Sequence, residues 1–80
     1  MGSMGHFLGT LAVESDPVGA VVYVNQERVG FTPLVLQDLR AGSHAVWIES
    51  EGYRRWSAGV LVPADKRTRI VVTLLPTGSR

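Results

Sequence analysis

The sequence contains no cysteine. This absence excludes disulfide bonds, thiolate metal sites and a cysteine nucleophile together. It leaves the cellular compartment open, because a domain without cysteine suits oxidising and reducing surroundings equally well. The chain also has no uninterrupted run of roughly 18 apolar residues, so the sequence predicts no membrane-spanning helix.

Charge is scarce and balanced. The chain has 8 basic and 7 acidic residues and a net charge of +1, and lysine occurs once, at Lys66. Proteins that bind nucleic acid usually carry a clustered basic stripe. Here the basic residues form only local groups, at Arg54-Arg55 and at Lys66-Arg67 with Arg69, which are typical of solvated strands and turns. The sequence therefore predicts no nucleic-acid partner.

Catalytic and metal-binding patterns are missing as well. A nucleophile needs a base within hydrogen-bond reach, and the chain has only two histidines, His6 and His44. His44 alternates in phase with Val46 and Ile48, which predicts a histidine at the core edge bonded to a backbone carbonyl. One histidine without cysteine or paired carboxylates does not build a zinc site. We predict no catalytic residue, no metal and no cofactor, and hence no enzyme.

The length of 80 residues is that of one domain. A chain of this size buries only about 60% of its unfolded surface, so the core is small. Residues 1–6 combine two methionines with small residues and resemble a cloning remnant, which we exclude from fold reasoning. We expect the domain to span residues 7–76 and residues 77–80 to fray.

The periodicity of apolar residues is two, which indicates β-strands rather than helices. Turn-forming residues recur about every ten positions, the spacing of a sandwich or barrel. The sequence predicts a compact antiparallel β-sandwich of six to seven strands. The predicted strands lie near residues 7–15, 20–24, 28–30, 32–36, 43–50, 53–62 and 68–75.

Two turn segments are the most informative part of the chain. Pro17 and Gly19 define a corner before a strand that starts at Ala20, because proline restricts φ and glycine tolerates positive φ. Asn25-Gln26 then reverses the chain, since Asn tolerates the left-handed region that tight hairpins need. A short return strand ends at Gly30, and Thr32-Pro33 starts the next strand.

These segments resemble the PEGA domain, which is named for a Pro-Glu-Gly-Ala turn. The corresponding residues are Pro17-Val18-Gly19-Ala20, with Val18 in place of the glutamate. The resemblance spans about residues 7–76. Its further motifs follow in order: Ser15, Val22 and Val24, Val29-Gly30, Thr32-Pro33-Leu34, Leu39, Ala41-Gly42-Ser43-His44, Val46 and Ile48, Gly52-Tyr53, Val60 and Val62, and Ile70, Val72 and Leu74.

The resemblance implies a β-sandwich like the carboxypeptidase regulatory domain or transthyretin. It also implies an accessory module of large bacterial or archaeal proteins, often extracytoplasmic or at the cell surface. A cytoplasmic location is not excluded. The family has no established catalytic residues. The resemblance therefore implies structural roles for the motif residues, which are Pro17, Gly19, Ala20, Gly30, Thr32, Pro33, Gly52 and Tyr53.

Apolar residues on the outward phase of the strands are the candidate functional residues, because the outer faces of a two-layer sandwich are normally polar. They are Val21, Tyr23, Trp47, Leu61 and Val71, with Leu75 beside them. One interpretation is that bulges shift the alternation and return some of them to the core. The other is an exposed patch that marks a partner surface. Arg55 and Trp56 form a second candidate surface.

We therefore carry two functional hypotheses. The first is a non-catalytic interaction or spacer module in a larger protein, which binds a protein partner, neighbouring domains of its parent chain or weakly a second copy of itself. Burial of Val21, Tyr23, Trp47 and Val71, or strand addition at an open sheet edge, would provide the contact. The second is carbohydrate binding by exposed aromatic rings, with Trp47, Trp56 or Tyr53 as the platform.

Overall fold

Residues 7–78, the part of the chain that the computed structural model describes, form seven β-strands and no helix. The predicted cloning remnant and the last two residues of the predicted tail lie outside the described residues. The strands are β1 (Leu8–Asp16), β2 (Val21–Val24), β3 (Glu27–Phe31), β4 (Leu34–Arg40), β5 (Gly42–Glu49), β6 (Trp56–Val62) and β7 (Arg67–Thr73). Within this part of the chain, no helix is long and apolar enough to cross a membrane.

The strands form two sheets, and the predicted all-β sandwich is confirmed. One sheet has three strands in the order β4-β1-β7, and the other has four in the order β3-β2-β5-β6. The prediction of purely antiparallel pairing is wrong for one pair, because β1 and β7 run parallel. The long chain between the first and last strands allows this pairing, whereas a tight hairpin allows only antiparallel neighbours.

The core lies between the sheets and consists almost entirely of branched aliphatic side chains. Every strand except β3 and β4 contributes at least one fully or nearly fully buried residue, and each such side chain contributes about 1.5–3 kcal/mol of hydrophobic stabilisation. The buried set contains the residues that alternation predicts to face inward: Leu11, Val13, Ala20, Val22, Val24, Val46, Ile48, Val60, Val62, Val72 and Leu74. Leu34, Leu36, Leu39 and Ile70 pack against its periphery.

Each of the two motif turns leads the chain from one sheet to the other. The segment at Pro17 connects β1 to β2, and the segment at Pro33 connects β3 to β4. Paired backbone hydrogen bonds join them: Gly19 N–H donates to Thr32 O at 2.9 Å, and Thr32 N–H donates to Ala20 O at 2.9 Å. Gly19 has φ +83°, a conformation that glycine adopts without steric cost.

Buried hydroxyl groups hold this corner together. The Ser15 Oγ and Thr32 Oγ1 atoms lie 2.7 Å apart, and Ala20 N–H donates to Thr32 Oγ1 at 3.0 Å. Ser15 Oγ also donates to the Pro17 carbonyl at 2.7 Å, so Thr32 donates its own hydrogen to Ser15 Oγ. The serine and threonine of the motif therefore satisfy polar groups where both sheets meet.

The segment before β6 differs from the prediction, which started this strand at Tyr53. Tyr53 forms an isolated bridge to Pro76, and Arg54 N–H donates to Leu75 O at 2.7 Å. These residues thus pair with the chain that follows β7, and β6 begins three residues later, at Trp56. Thr77, in the predicted tail, donates from its backbone to Gly52 O at 3.0 Å.

Candidate functional site

The outer face of the four-stranded sheet carries a cluster of aromatic side chains and arginines. Register places Arg28, Tyr23, Trp47 and Ser57 in one row across β3, β2, β5 and β6. A neighbouring row contains Phe31, Val21 and Glu49. We call the group the aromatic face; its members are Val21, Tyr23, Arg28, Phe31, Trp47 and Arg55.

Contacts within the aromatic face hold its large side chains in place. The Tyr23 and Trp47 rings lie 6.0 Å apart with a tilt of 52°, an arrangement that aromatic pairs favour. The Arg55 guanidinium lies over the Trp47 ring at 4.7 Å from its centroid, and Arg55 Nη1 is 3.6 Å from Glu49 Oε2. Arg28 lies over Phe31 in the same way, at 5.0 Å. These cation–π pairs orient the arginines along the sheet surface.

Exposure divides the aromatic face into a half-buried centre and an exposed edge. Val21, Tyr23 and Trp47 are half-buried, whereas Phe31 is 49% exposed. Phe31 and Arg28 were not predicted from the sequence. The Asn25-Gln26 hairpin, whose turn residues have φ +52° and +74°, could have placed Arg28 opposite Tyr23. Phe31 comes opposite Val21 only because the register shifts between Val22 and Tyr23, which the hairpin alone does not indicate.

A shallow hollow of about 390 Å³ borders the aromatic face. It lies between Val21 and the turn after β5, residues 50–53, with Arg55 on its rim. Glu49 lines it together with the exposed Glu51. The hollow therefore offers hydrogen-bond acceptors beside an apolar surface.

Val71 does not join the aromatic face. It lies on β7, in the other sheet, and its register partner is Glu14 on β1. The exposed fraction of Val71 is 61%, that of Leu61 is 63% and that of Leu75 is 60%. The predicted set of outward apolar residues is thus exposed or half-buried, but the fold divides it between the two sheets.

Trp56 and Tyr53 pack against the core rather than on an outer face. Trp56 pairs with Ile48, whose side chain is fully buried, so both point inward. Trp56 shares the inward phase of Val60 and Val62 along β6, whereas the Arg55 guanidinium extends over Trp47 on the outer face. Arg55 and Trp56 nevertheless line one hollow of about 160 Å³, together with residues 73–75. Binding at this second candidate surface stays a prediction.

His44 lies near the start of β5, beside the β2–β3 hairpin, in a hydrogen-bond network that defines its tautomer. Asn25 Oδ1 accepts from Ala45 N–H at 3.0 Å, so the amide nitrogen of Asn25 donates to His44 Nδ1, at 2.8 Å. His44 Nε2 then donates to the Arg40 carbonyl at 2.6 Å. This is the backbone-bonded histidine that the sequence predicts, and both ring nitrogens have structural partners. No group of three or more His, Cys, Asp or Glu residues able to hold a metal occurs within residues 7–78.

The outer face of the three-stranded sheet carries a bidentate ion pair. Arg69 Nε and Nη2 donate to the two carboxylate oxygens of Glu14, each at 3.0 Å. The hydrogen bonds from Arg69 lower the pKa of Glu14, and the charges of Arg69 and Arg67 add to the effect. The same contact raises the pKa of Arg69.

We expect Arg69→Gln to raise the pKa of Glu14 towards its ordinary value. The matched variant Arg67→Gln should move it much less, because Arg67 acts only through space. Since folding lowers this pKa, the pair stabilises the protein above the pKa of the unfolded chain. That contribution is lost as pH falls through the folded value, and it is small for so exposed a pair. A carboxyl-detected NMR titration measures the shift; equal Glu14 pKa values in wild type and Arg69→Gln would contradict the assignment.

The chain matches a known protein family over nearly all of its described residues. The family model described as PEGA domain matches residues 8–78. The chain belongs to the PEGA domain family. A search of curated proteins found no match. PEGA domains are small accessory domains, and the family match includes both motif turns and all seven strands.

Proposed function

We propose that this PEGA domain is a non-catalytic interaction module that binds a protein partner, or a neighbouring domain of its parent chain, through the aromatic face. The observation that carries the proposal is the half-buried Tyr23–Trp47 pair beneath Arg55. Trp, Tyr and Arg are the residues most enriched among those that dominate binding energy at protein interfaces. The same positions on an isolated sandwich would normally be polar.

The arrangement of the aromatic face favours a protein partner over a sugar. Carbohydrate binding needs an accessible ring face, and Arg55 lies over Trp47 at 4.7 Å. Trp56 and Tyr53, the other rings considered, pack against the core. A protein partner can use Arg55 itself as a contact, because the stacked guanidinium keeps donors free for a carboxylate or a carbonyl.

We also propose a cellular location for the domain. Because PEGA domains occur as accessory units, we place this one in a larger prokaryotic protein, on its extracytoplasmic side. Epitope tagging of the parent protein followed by protease accessibility in protoplasts or spheroplasts, whose cytoplasmic membrane is intact, tests this part by itself. Cleavage of the domain only after that membrane is lysed would contradict an extracytoplasmic position.

Trp47→Ser should abolish partner binding with little loss of fold. The substitution removes a ring that is half in solvent, so we expect a stability loss of about 1 kcal/mol, from the aromatic pair and the cation–π contact. Side-chain oxidation footprinting compares the isolated domain with the intact parent protein. We expect Trp47 and Tyr23 to be protected in the intact protein, and Val71 on the opposite face to react equally in both.

Two controls sharpen this test. Val71→Ser removes an exposed apolar residue from the other sheet and should leave binding unchanged. Equal oxidation of Trp47 in the isolated and the intact protein would contradict the proposed contact. A glycan array read by tryptophan fluorescence covers the alternative, and a glycan that binds wild type but not Trp47→Ser would replace the protein-binding proposal with carbohydrate binding.

A further inference from the structure

The edge strand β6 differs from the other three sheet edges. Edge strands expose unpaired backbone groups, and proteins usually guard them with charge, proline or bulges. β3 contains Glu27 and Arg28 and pairs through a register shift, β4 contains Asp38 at φ +61°, and β7 contains Arg67 and Arg69. β6 reads Trp-Ser-Ala-Gly-Val-Leu-Val, without charge or proline, and its register with β5 has no shift.

Hydrogen bonds of the neighbouring strand β5 show which backbone N–H and C=O groups of β6 point out of the sheet. Asn25 N–H donates to Ala45 O at 2.7 Å, and Ala45 N–H donates to Asn25 Oδ1 at 3.0 Å. Both backbone groups of Ala45 thus point towards the β2 side, away from its β6 partner Gly59. Because hydrogen bonding alternates along an antiparallel ladder, the N–H and C=O of Ser57, Gly59 and Leu61 point out of the sheet edge. Within residues 7–78, no strand pairs with this side of β6.

We propose that the β6 edge binds the β6 edge of a second copy of this chain, antiparallel, about a two-fold axis at Gly59. Gly59 is the central residue of Trp56–Val62, so this register pairs the full strand with itself. Gly59 then exchanges both backbone hydrogen bonds with its counterpart. Ser57 does the same with Leu61 of the second copy. A two-fold contact of this kind is self-complementary and closes at the dimer.

Side chains support this register. Apart from its chain neighbours, no residue would approach a Cβ at Gly59 within 4 Å, so the surface at the axis is open to the second copy. On the outer face, Leu61 of the second copy comes beside Ser57, which itself neighbours Trp47. This contact would cover the side chain of Leu61, which is 63% exposed in the single copy. On the inner face, Ala58 comes opposite Val60, and no like charges meet.

The consequence is a continuous sheet of two four-stranded halves that carries both aromatic faces on one side. Two linked copies of a binding surface give avidity towards a partner with repeated sites. The inference stands apart from the function of the aromatic face, because it depends on backbone groups of the edge. Failure of either proposal leaves the other standing.

Sedimentation velocity of the purified chain from micromolar to millimolar concentration tests the proposal. We expect a monomer–dimer equilibrium in wild type and in Gly59→Ala, and dimerisation weaker by about tenfold or more in Gly59→Lys, which sets two lysines face to face. Circular dichroism confirms that each variant is folded. A wild type that stays monomeric throughout, or a Gly59→Lys variant that dimerises like Gly59→Ala, would overturn the proposal.

Paired double variants test the register itself. In Ser57→Lys/Leu61→Lys, like charges meet across the axis on both sides, and the dimer should be lost. In Ser57→Lys/Leu61→Glu, each lysine meets a glutamate of the second copy, and the dimer should return. If the lysine–glutamate variant dimerises no better than the lysine–lysine variant, the axis at Gly59 is wrong.

Discussion

Gly9→Ala is expected to lower the free energy of unfolding by about 2–3 kcal/mol, because it overpacks a site bounded by backbone. An added Cβ would overlap the carbonyl oxygen of Pro63 and lie 2.7 Å from Val62 Cγ1. The Pro63 carbonyl has no rotamer by which to move away. Gly9 is also where β1 is joined to the β6–β7 connection, through the hydrogen bond from Thr10 N–H to Lys66 O at 2.9 Å.

Gly59→Ala is the matched control for this prediction. It makes the same chemical change in a strand, but no residue other than the chain neighbours lies within 4 Å of the new Cβ. We expect a gain of about 0.5–1 kcal/mol, because alanine loses less backbone entropy on folding than glycine does. Urea unfolding followed by tryptophan fluorescence, at micromolar protein concentration, measures both variants. Equal stability changes would show that the close approach at Gly9 is not a constraint.

Thr32→Val should destabilise the domain by about 2–4 kcal/mol, although valine has nearly the same shape. The change removes the acceptor of Ala20 N–H and the hydroxyl partner of Ser15, both of them buried. A buried donor without a partner costs much more than an exposed one, because water cannot replace the lost bond. For a domain of this size, a loss of 1 kcal/mol lowers Tm by roughly 4–8 °C, so calorimetry resolves the effect easily.

Two further variants separate the hydroxyl network from the general effect of a threonine-to-valine change. Thr73→Val alters an exposed position on β7 and should change stability by less than about 0.5 kcal/mol. Ser15→Ala combined with Thr32→Val should cost less than the sum of the single changes, because both remove the same bond. Additive losses in this double-mutant cycle would contradict the coupling of the two sheets through Ser15 and Thr32.

The Ser15, Gly19 and Thr32 corner shows how far local sequence reasoning extends. Proline restricts φ at its own position and glycine allows positive φ, so the position of both turns can be predicted from the sequence. Their contact is not, because it joins groups 17 residues apart in sequence, as the Ser15–Thr32 hydroxyl pair does. Alternation likewise identified the inward residues of β2, β5 and β7, but could not show that β7 pairs with β1 in parallel.

The candidate site shows the same division. Outward phase identified Tyr23 and Trp47, because each lies in a clean run of alternating residues. It grouped Val71 with Trp47, because phase indicates inward or outward but does not say which sheet a strand joins. Trp56 was predicted as a site residue only because arginines precede it in the sequence, and its phase along β6, shared with Val60 and Val62, is inward.

By itself, the sequence determined the β-class of the fold, the turns and the inward phase of most strands, because short-range sterics and a period of two govern these features. The order and spacing of its motifs indicated the family. Only the tertiary structure decided which outward residues share a face and which glycine lies in contact with a backbone carbonyl. It also decided which edge strand lacks the charges, prolines and bulges that prevent pairing with another strand. Those properties depend on strand order and register. Long-range packing and hydrogen bonding select order and register among arrangements that satisfy the same local pattern.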